Sequence, residues 1–403
     1  MSRFEENSRN LRIDSPTCSR EGLRLLFSIA AIKSWKINSI DITSAFLQGG
    51  PINREIYLRP PSDICSKDTV WKLKRCIYGL NDAPRAWYEK VREVMIDLGA
   101  KVSSYDEAMF CWHDQSGDLV GVLISHVDDF VFCGNNAFQT NIISKLKGKF
   151  NMRDHESGTF KYLGLNLNVT QNGECVMINQ NAYIAGMTPM SGMKNKSEEL
   201  NEEEKLELKR MCGQLLWVAS QTRPDISFET CVASNTGKHP TFRLCHEINK
   251  AIKKLKSSSV DIRFPHLGGV PSDIKVIGYS DATYASLEDG SSQGGLIVFL
   301  KGPNNKVAPI IWQSRKLQRV TKSPLASETL ALCDVADAAF LVASFLKEIF
   351  NLSRMPIIEC YTDNKSLIDN LKTSKIINDR RLRVDMARLK EMLRENEIKV
   401  FWV

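Results

Sequence analysis

Two adjacent carboxylates, Asp128 and Asp129, separate two apolar runs in LVGVLISHVDDFVFCG, residues 119–134. Aspartate is depleted in strands, and neighbouring negative charges repel unless a positive partner is near. A hairpin turn accommodates such a pair, because Asp bonds its own backbone there. A third acid is equally out of place: Asp41 closes the apolar stretch INSID and precedes AFL. Two strands that end in acid can meet at one sheet edge, and three converging carboxylates need a cation. Hard oxygen donors without His or Cys nearby favour magnesium, with manganese as its substitute. Paired ions about 3.5–4 Å apart serve phosphoryl transfer, one at the attacking oxygen and one at the leaving group. The second half repeats the pattern. Asp281 ends VIGYSD, Asp363 ends IIECYTD, and Glu328 stands in the first turns of a long helix. An acid near a helix N-terminus is also favourable without any metal, so Glu328 gains meaning only beside the two aspartates.

Strands and helices must bring these acids together. A helix is predicted over residues 15–36, and KINSIDITSAFLQGG reads as a strand running into a Gly-Gly turn. EIYLRPP and VWKLKRCIYGL are two further strands, the second ending at Gly79. APRAWYEKVREVMIDLGA is an amphipathic helix with Pro84 near its start and Gly99 at its end. The 119–134 hairpin follows, then a helix at FQTNIISKLKGKF and one strand at FKYLGLNLNV. TPMSGMKNKSEELNEEEK is the linker candidate, and residues 200–260 form a small helical unit. From residue 273 three strands, a long helix, a strand, two helices and the last strand, IKVFWV, compose an α/β unit.

The 403 residues have room for about two to four domains, each able to bury a core. Hydrophobic residues at 43% and charged residues at 25% match a soluble globular composition. A net charge of +7 is compatible with a polyanionic partner. The 11 cysteines are scattered without a C-x-x-C pair, which argues against a zinc site or disulfide framework and for reduced thiols inside a cell. No stretch approaches about 18 uninterrupted apolar residues, so no membrane partner is expected. The polar N-terminus lacks a signal-peptide core.

In this order, DITSAFLQG, IYGLNDAPRAWY and HVDD resemble the reverse transcriptase of copia-type LTR retrotransposons. SPTCSREGLRLL ahead of them, FKYLGLNL behind them and GQLLWVASQTRPDI further on fit the same family. SDATYAS, LASETLAL and YTDNKSL resemble the ribonuclease H of these elements. The resemblance implies a multidomain α/β fold: the α+β palm of a right-hand polymerase plus an RNase H-like mixed sheet. Residues 1–195 would be palm and partial fingers, 196–270 a helical thumb-like or connecting unit, and 271–403 an RNase H-like domain expected to be truncated at its C-terminus.

Carried over position by position, Asp41 and Asp128 become metal ligands and Asp129 the third carboxylate. Phe46 would lie beneath the incoming sugar and reject a 2′-hydroxyl, its plain alternative being a core residue. Gly79 would permit close backbone approach in the segment that supports the template. His126 stands where the family usually has Tyr against the primer, keeping a planar ring and a hydrogen-bonding edge. Asp281, Glu328 and Asp363 would be the ribonuclease carboxylates, on the first strand, the helix and the fourth strand, the two strands being neighbours. Asp385 resembles a family position but reads as structural.

The implied partners are an RNA template, a DNA primer, their RNA–DNA hybrid and dNTPs, in the cytoplasm, in virus-like particles or in the nucleus. Lys250, Lys253, Lys254 and Lys256 are candidate phosphate contacts, a solvated helix face being their plain reading. The family's basic fingers segment is expected before residue 1 and a fourth ribonuclease acid beyond Val403, within the remainder of the Pol polyprotein. The alternative is a catalytically degenerate fragment that at most binds nucleic acid.

Overall fold

Apolar runs of the expected spacing become strands in the structure, a computed structural model that describes residues 13–61, 63–64, 69–153, 156–235, 240–287, 289–373 and 379–403. It divides into two compact units: Met1–Leu26, Trp35–Gly158 and Ile349–Asn351 form one, and Phe27–Ser34, Thr159–Glu348 and Leu352–Val403 the other.

Helix α1 (Arg20–Ile32) leads to β1 (Ile37–Asp41). In the first unit, a single helical turn, α2 (Ala45–Gln48), interrupts the expected run from strand to Gly-Gly turn. β2 (Tyr57–Leu58) and β3 (Trp71–Lys72) form a small ribbon, so VWKLKRCIYGL contributes only two strand residues. α3 (Ala83–Asp97) starts with Pro84 in its first turn, where the missing N–H has no intrahelical partner to lose, and buries Trp87, Val91, Val94 and Met95. β4 (Lys101–Val102), β5 (Met109–His113), β6 (Leu119–His126) and β7 (Asp129–Gly134) follow. The expected helix after them is broken into α4 (Asn136–Phe138), a π turn (Gln139–Ile143) and α5 (Ser144–Lys147). With β8 (Glu156–Ser157) the sheet order is β4-β5-β6-β7-β1-β8, every pair antiparallel. β1 therefore runs beside β7, and their acid-bearing ends coincide. Phe130, Phe132, Trp87, Phe138 and Phe150 build the core on one face. Gly121 and Gly134 leave room for the Phe138 ring, which an added Cβ would approach to 2.2 and 2.3 Å.

The second unit opens with β9 (Phe160–Tyr162), β10 (Leu165–Val169) and β11 (Cys175–Asn179). FKYLGLNLNV is thus a hairpin rather than one strand. Leu163 (φ 45°) and Gly164 (φ 76°) both adopt left-handed backbone, the conformation of a two-residue hairpin turn whose twist matches the flanking strands. α6 (Asn181–Gly186), α7 (Glu202–Gln221), α8 (Ser227–Ser234) and α9 (Phe242–Ser257) come next, then β12 (Ile262–Pro265). β12 returns to pair with β11, giving the sheet order β12-β11-β10-β9. Met211, Leu215, Val218, Phe242, Ile248 and Ile252 fill the helical core.

The same unit continues through β13 (Lys275–Thr283), β14 (Gln293–Lys301) and β15 (Val307–Lys316) to α10 (Pro324–Ile349). β16 (Ile358–Thr362), α11 (Lys365–Lys372), α12 (Arg380–Arg394) and β17 (Lys399–Trp402) complete it. The order is β15-β14-β13-β16-β17, with β13–β16 and β16–β17 parallel, so the first and fourth strands are neighbours as an RNase H-like sheet requires. Against the expectation that no stretch approaches a membrane span, α10 is long and apolar enough by length and composition. It serves here as the core helix over this sheet. Leu332, Val335, Ala336 and Ala339 are fully buried or nearly so, and Gly278 leaves space for Val335.

Candidate metal centres

The first site is built on the β6–β7 hairpin. His126 pairs with Asp129, which leaves Val127 and Asp128 as a two-residue turn. Such turns need left-handed backbone at their first central position, normally supplied by Gly. Here Val127 adopts φ 58°, a costly conformation for a β-branched residue. Two hydrogen bonds hold it: the Trp87 indole N–H donates to the Val127 carbonyl at 2.6 Å, and the Ile42 N–H to the Asp128 carbonyl at 2.8 Å. Asp41 is the direct Cα partner of Asp129 across β1 and β7.

Asp41, Asp128 and Asp129 thus share one end of the sheet. Burial, then the charges of Asp128 and Asp41, push the Asp129 carboxyl upward. Arg153 supplies a positive charge: its Nε lies 3.1 Å from Asp41 Oδ2, and its backbone N–H donates to the Asp41 carbonyl at 3.0 Å. Burial lowers the pKa of His126, with Asp128 opposing, and its buried Nδ1 has no hydrogen-bond partner among the described residues.

Phe46 is half-buried on α2, packed against the core and 4.6 Å between ring centroids from Tyr78. The adjacent Gly79 adopts φ 97°, and no atom of the described residues lies within 4 Å of an added Cβ, so its backbone conformation is what calls for glycine. The four α9 lysines are all exposed. Lys254 is engaged internally, donating to the Asp225 carbonyl at 2.7 Å, with Asp225 and Glu229 carboxylates at 3.7 and 3.6 Å.

The second site lies at the C-terminal ends of β13 and β16. These strands run parallel with Tyr279 opposite Tyr361, and two residues on, Asp281 and Asp363 emerge on the same face. Glu328 reaches them from α10. Ligand oxygens of the three lie within 4.8 Å of one another, the one such group among the described residues; the first site is not gathered so tightly. Glu328 is buried; its Oε1 accepts from the Ala282 N–H at 3.3 Å, while Oε2 is buried without a partner among the described residues. Desolvation, then the charges of Asp281 and Asp363, raise its pKa to about 7. A buried carboxylate oxygen without a donor, facing two further carboxylates, fits a divalent cation. The Asp363 carbonyl is held by the Trp402 indole N–H at 3.0 Å, and a cleft of about 520 Å³ beside the acids is lined by Tyr279, Tyr361 and Phe228 among others. Asp385 stands outside the trio, paired with Arg319 at 2.7 Å.

Sequence reasoning did not single out Trp87, Arg153 or Arg223. Arg223, in SQTRPDI, is 1% exposed, forks onto Asp225 (2.8 and 2.9 Å) and donates to the Ser258 carbonyl at 2.8 Å. A Trp inside the amphipathic face of APRAWY was the available signal for the first; the other two sit in polar loops that look solvated.

An acid-bearing hairpin on one sheet and an acid trio on a mixed, RNase H-like sheet define a multidomain reverse transcriptase fold. Residues 4–200 match the family reverse transcriptase (RNA-dependent DNA polymerase), and curated relatives of the chain are Pol polyproteins of transposons. It is 28% identical over 367 residues to the retrovirus-related Pol polyprotein from transposon RE1 of Arabidopsis thaliana, covering 86% of this chain and 24% of that protein. It is 26% identical over 420 residues to the corresponding polyprotein from transposon TNT 1-94 of Nicotiana tabacum, covering 96% of this chain and 30% of that protein. The chain therefore spans less than a third of the length of these relatives. Among solved structures, the foamy viral protease-reverse transcriptase in complex with RNA/DNA hybrid aligns over 98% of this chain and 46% of its own, with TM-score 0.50 and 12% identity. That likeness concerns the fold alone.

Proposed function

We propose that the chain is the polymerase and ribonuclease H segment of a retrotransposon polyprotein. It would extend a DNA primer on an RNA template with dNTPs and cleave the RNA strand of the resulting hybrid. Residues 1–195 would supply palm and partial fingers, 196–270 a thumb-like unit and 271–403 the ribonuclease. The observation that carries the reading is the meeting of Asp41, Asp128 and Asp129 at one sheet end. Asp41 and Asp128 would hold magnesium there, and Asp281, Glu328 and Asp363 would do so in the second site. Bound magnesium supplies charge stabilisation for the attacking and leaving oxygens of phosphoryl transfer.

The protein's own groups do the rest. Phe46 limits space beneath the sugar, with Tyr78 against its ring. His126 presents a planar edge beside the turn, where the primer end would lie. Lys250, Lys253 and Lys256 offer charges to phosphates, Lys254 being tied to Asp225.

Primer extension by the purified chain, with and without magnesium, tests this reading. Extension that needs magnesium and is lost in Asp128→Asn supports it; extension unaffected by that change would sink it. A binding-only fragment is favoured by one observation, the Arg153 ion pair that occupies Asp41. Hybrid binding without metal-dependent turnover would decide for it.

A further inference from the structure

We propose that Trp87 is the positioning residue of the polymerase carboxylates, its indole N–H fixing the strained turn that carries Asp128. The inference rests on the reading of Asp128 as a metal-holding carboxylate and adds a residue acting through it. Trp87 is 1% exposed and sits edge-on to Phe150, with ring centroids 5.0 Å apart. A buried indole N–H needs an acceptor, and the Val127 carbonyl accepts it at 2.6 Å.

That carbonyl belongs to the peptide group whose N–H is Asp128's. The following peptide group is held from the other side, by the Ile42 N–H on the Asp128 carbonyl. Both peptide planes flanking Asp128 are therefore clamped, one from α3 and one from the residue after Asp41. The clamp matters because Val127 would not hold φ 58° unaided: a β-branched side chain disfavours left-handed backbone. Released, the turn relaxes and carries the Asp128 carboxylate away from Asp41. Phenylalanine would keep an aromatic ring in the core, at a smaller volume, but could not hold the turn.

The test uses the full chain with Asp281→Asn and Asp363→Asn, so that the second acid trio does not report. Manganese binding is followed by calorimetry and by electron paramagnetic resonance, and primer extension supplies kcat and KM. Trp87→Phe should weaken manganese binding about fivefold, the loss of one hydrogen bond. It should also lower kcat by about tenfold while leaving the dNTP KM nearly unchanged. Adding Val127→Gly should restore most of both losses, because glycine adopts the turn conformation without help. A residue that merely filled the core would show no such rescue.

If Trp87→Phe fails to fold, 3-benzothienylalanine at position 87 keeps the ring shape and removes only the N–H. Parental manganese affinity in either folded variant, or no recovery with Val127→Gly, overturns the proposal. Asp128→Asn separates the two levels. If it leaves manganese binding unchanged, the reading of the site has failed; if it abolishes binding while the Trp87 variants bind normally, only this inference has.

Discussion

Asp41 and Asp129 face each other as direct partners across antiparallel β1 and β7, the last residue of one strand opposite the first of the other. Like charges so placed destabilise a sheet, and Asp128 adds a third beside them. The arrangement is a local conflict retained at a candidate functional site, the usual place for such conflicts.

Relieving the conflict should stabilise the protein while damaging the site. Asp129→Asn keeps the shape and removes one of the charges. It should raise the stability of the metal-free chain by about 0.5–1 kcal/mol, read as a higher denaturant midpoint. The same variant should gain less from added magnesium than the parent. A lower midpoint without metal would show that the acid pair is not in conflict.

Arg153 competes with any ion for Asp41. Its side chain is 72% exposed, so the pair is weak and easily exchanged. Arg153→Gln should therefore tighten manganese binding at this site about two- to fivefold, measured by calorimetry. Weaker binding would instead make Arg153 a supporting element of the metal-bound form.

Phe46 should set sugar selectivity. Phe46→Val removes the ring packed at a tilt against Tyr78 and, on the proposed reading, would open space beneath the sugar. The preference for dNTPs over ribonucleotides should fall by about tenfold to a hundredfold in competitive primer extension. Unchanged preference, with the protein folded, would leave Phe46 a core residue only.

Arg223 should be structural and irreplaceable. Its buried guanidinium joins Asp225 to the end of α9, and neither Lys nor Ala can span the same acceptors. Arg223→Ala should cost about 2–4 kcal/mol in denaturant unfolding, because backbone carbonyls lose their donors. Arg223 chiefly holds the Asp225 carboxyl below its usual range. That contribution is present above the unfolded carboxyl pKa and is lost as pH falls through the lower folded value. Arg223→Lys with parental stability at neutral pH would contradict the assignment.

The candidate sites were legible because acids at the ends of apolar strands violate strand preference, and Asp41, Asp128, Asp281 and Asp363 all do so. The adjacency of β13 and β16 followed from the resemblance and not from any local pattern. What escaped was long-range or strained. β12 joins β11 from beyond the helices, a pairing that leaves no periodic trace. Leu163 and Val127 take turn conformations usually given to glycine, so neither announced its turn. Arg223 sits among polar residues, and only tertiary packing buries it.

The Asp281, Glu328 and Asp363 trio should link pH and metal. Glu328 titrates near 7 in the folded protein, against about 4.5 in an unfolded chain. Between these values the folded state holds a proton that the unfolded state has released. Stability must therefore fall as pH rises through this window and level off above it. Glu328 is 7% exposed, so little solvent screening applies, and the loss is on the order of 3 kcal/mol. On the proposed reading a divalent ion would bind the deprotonated trio and offset the repulsion of Asp281 and Asp363. The melting temperature of the metal-free chain should thus drop from about pH 5 to about pH 8, and saturating magnesium should remove most of that drop. Glu328→Gln abolishes the titration, so its melting temperature should change less with pH across the same window and gain less from magnesium. The same slope in parent and variant would mean that the buried oxygen of Glu328 is satisfied in some other way and that the trio holds no ion.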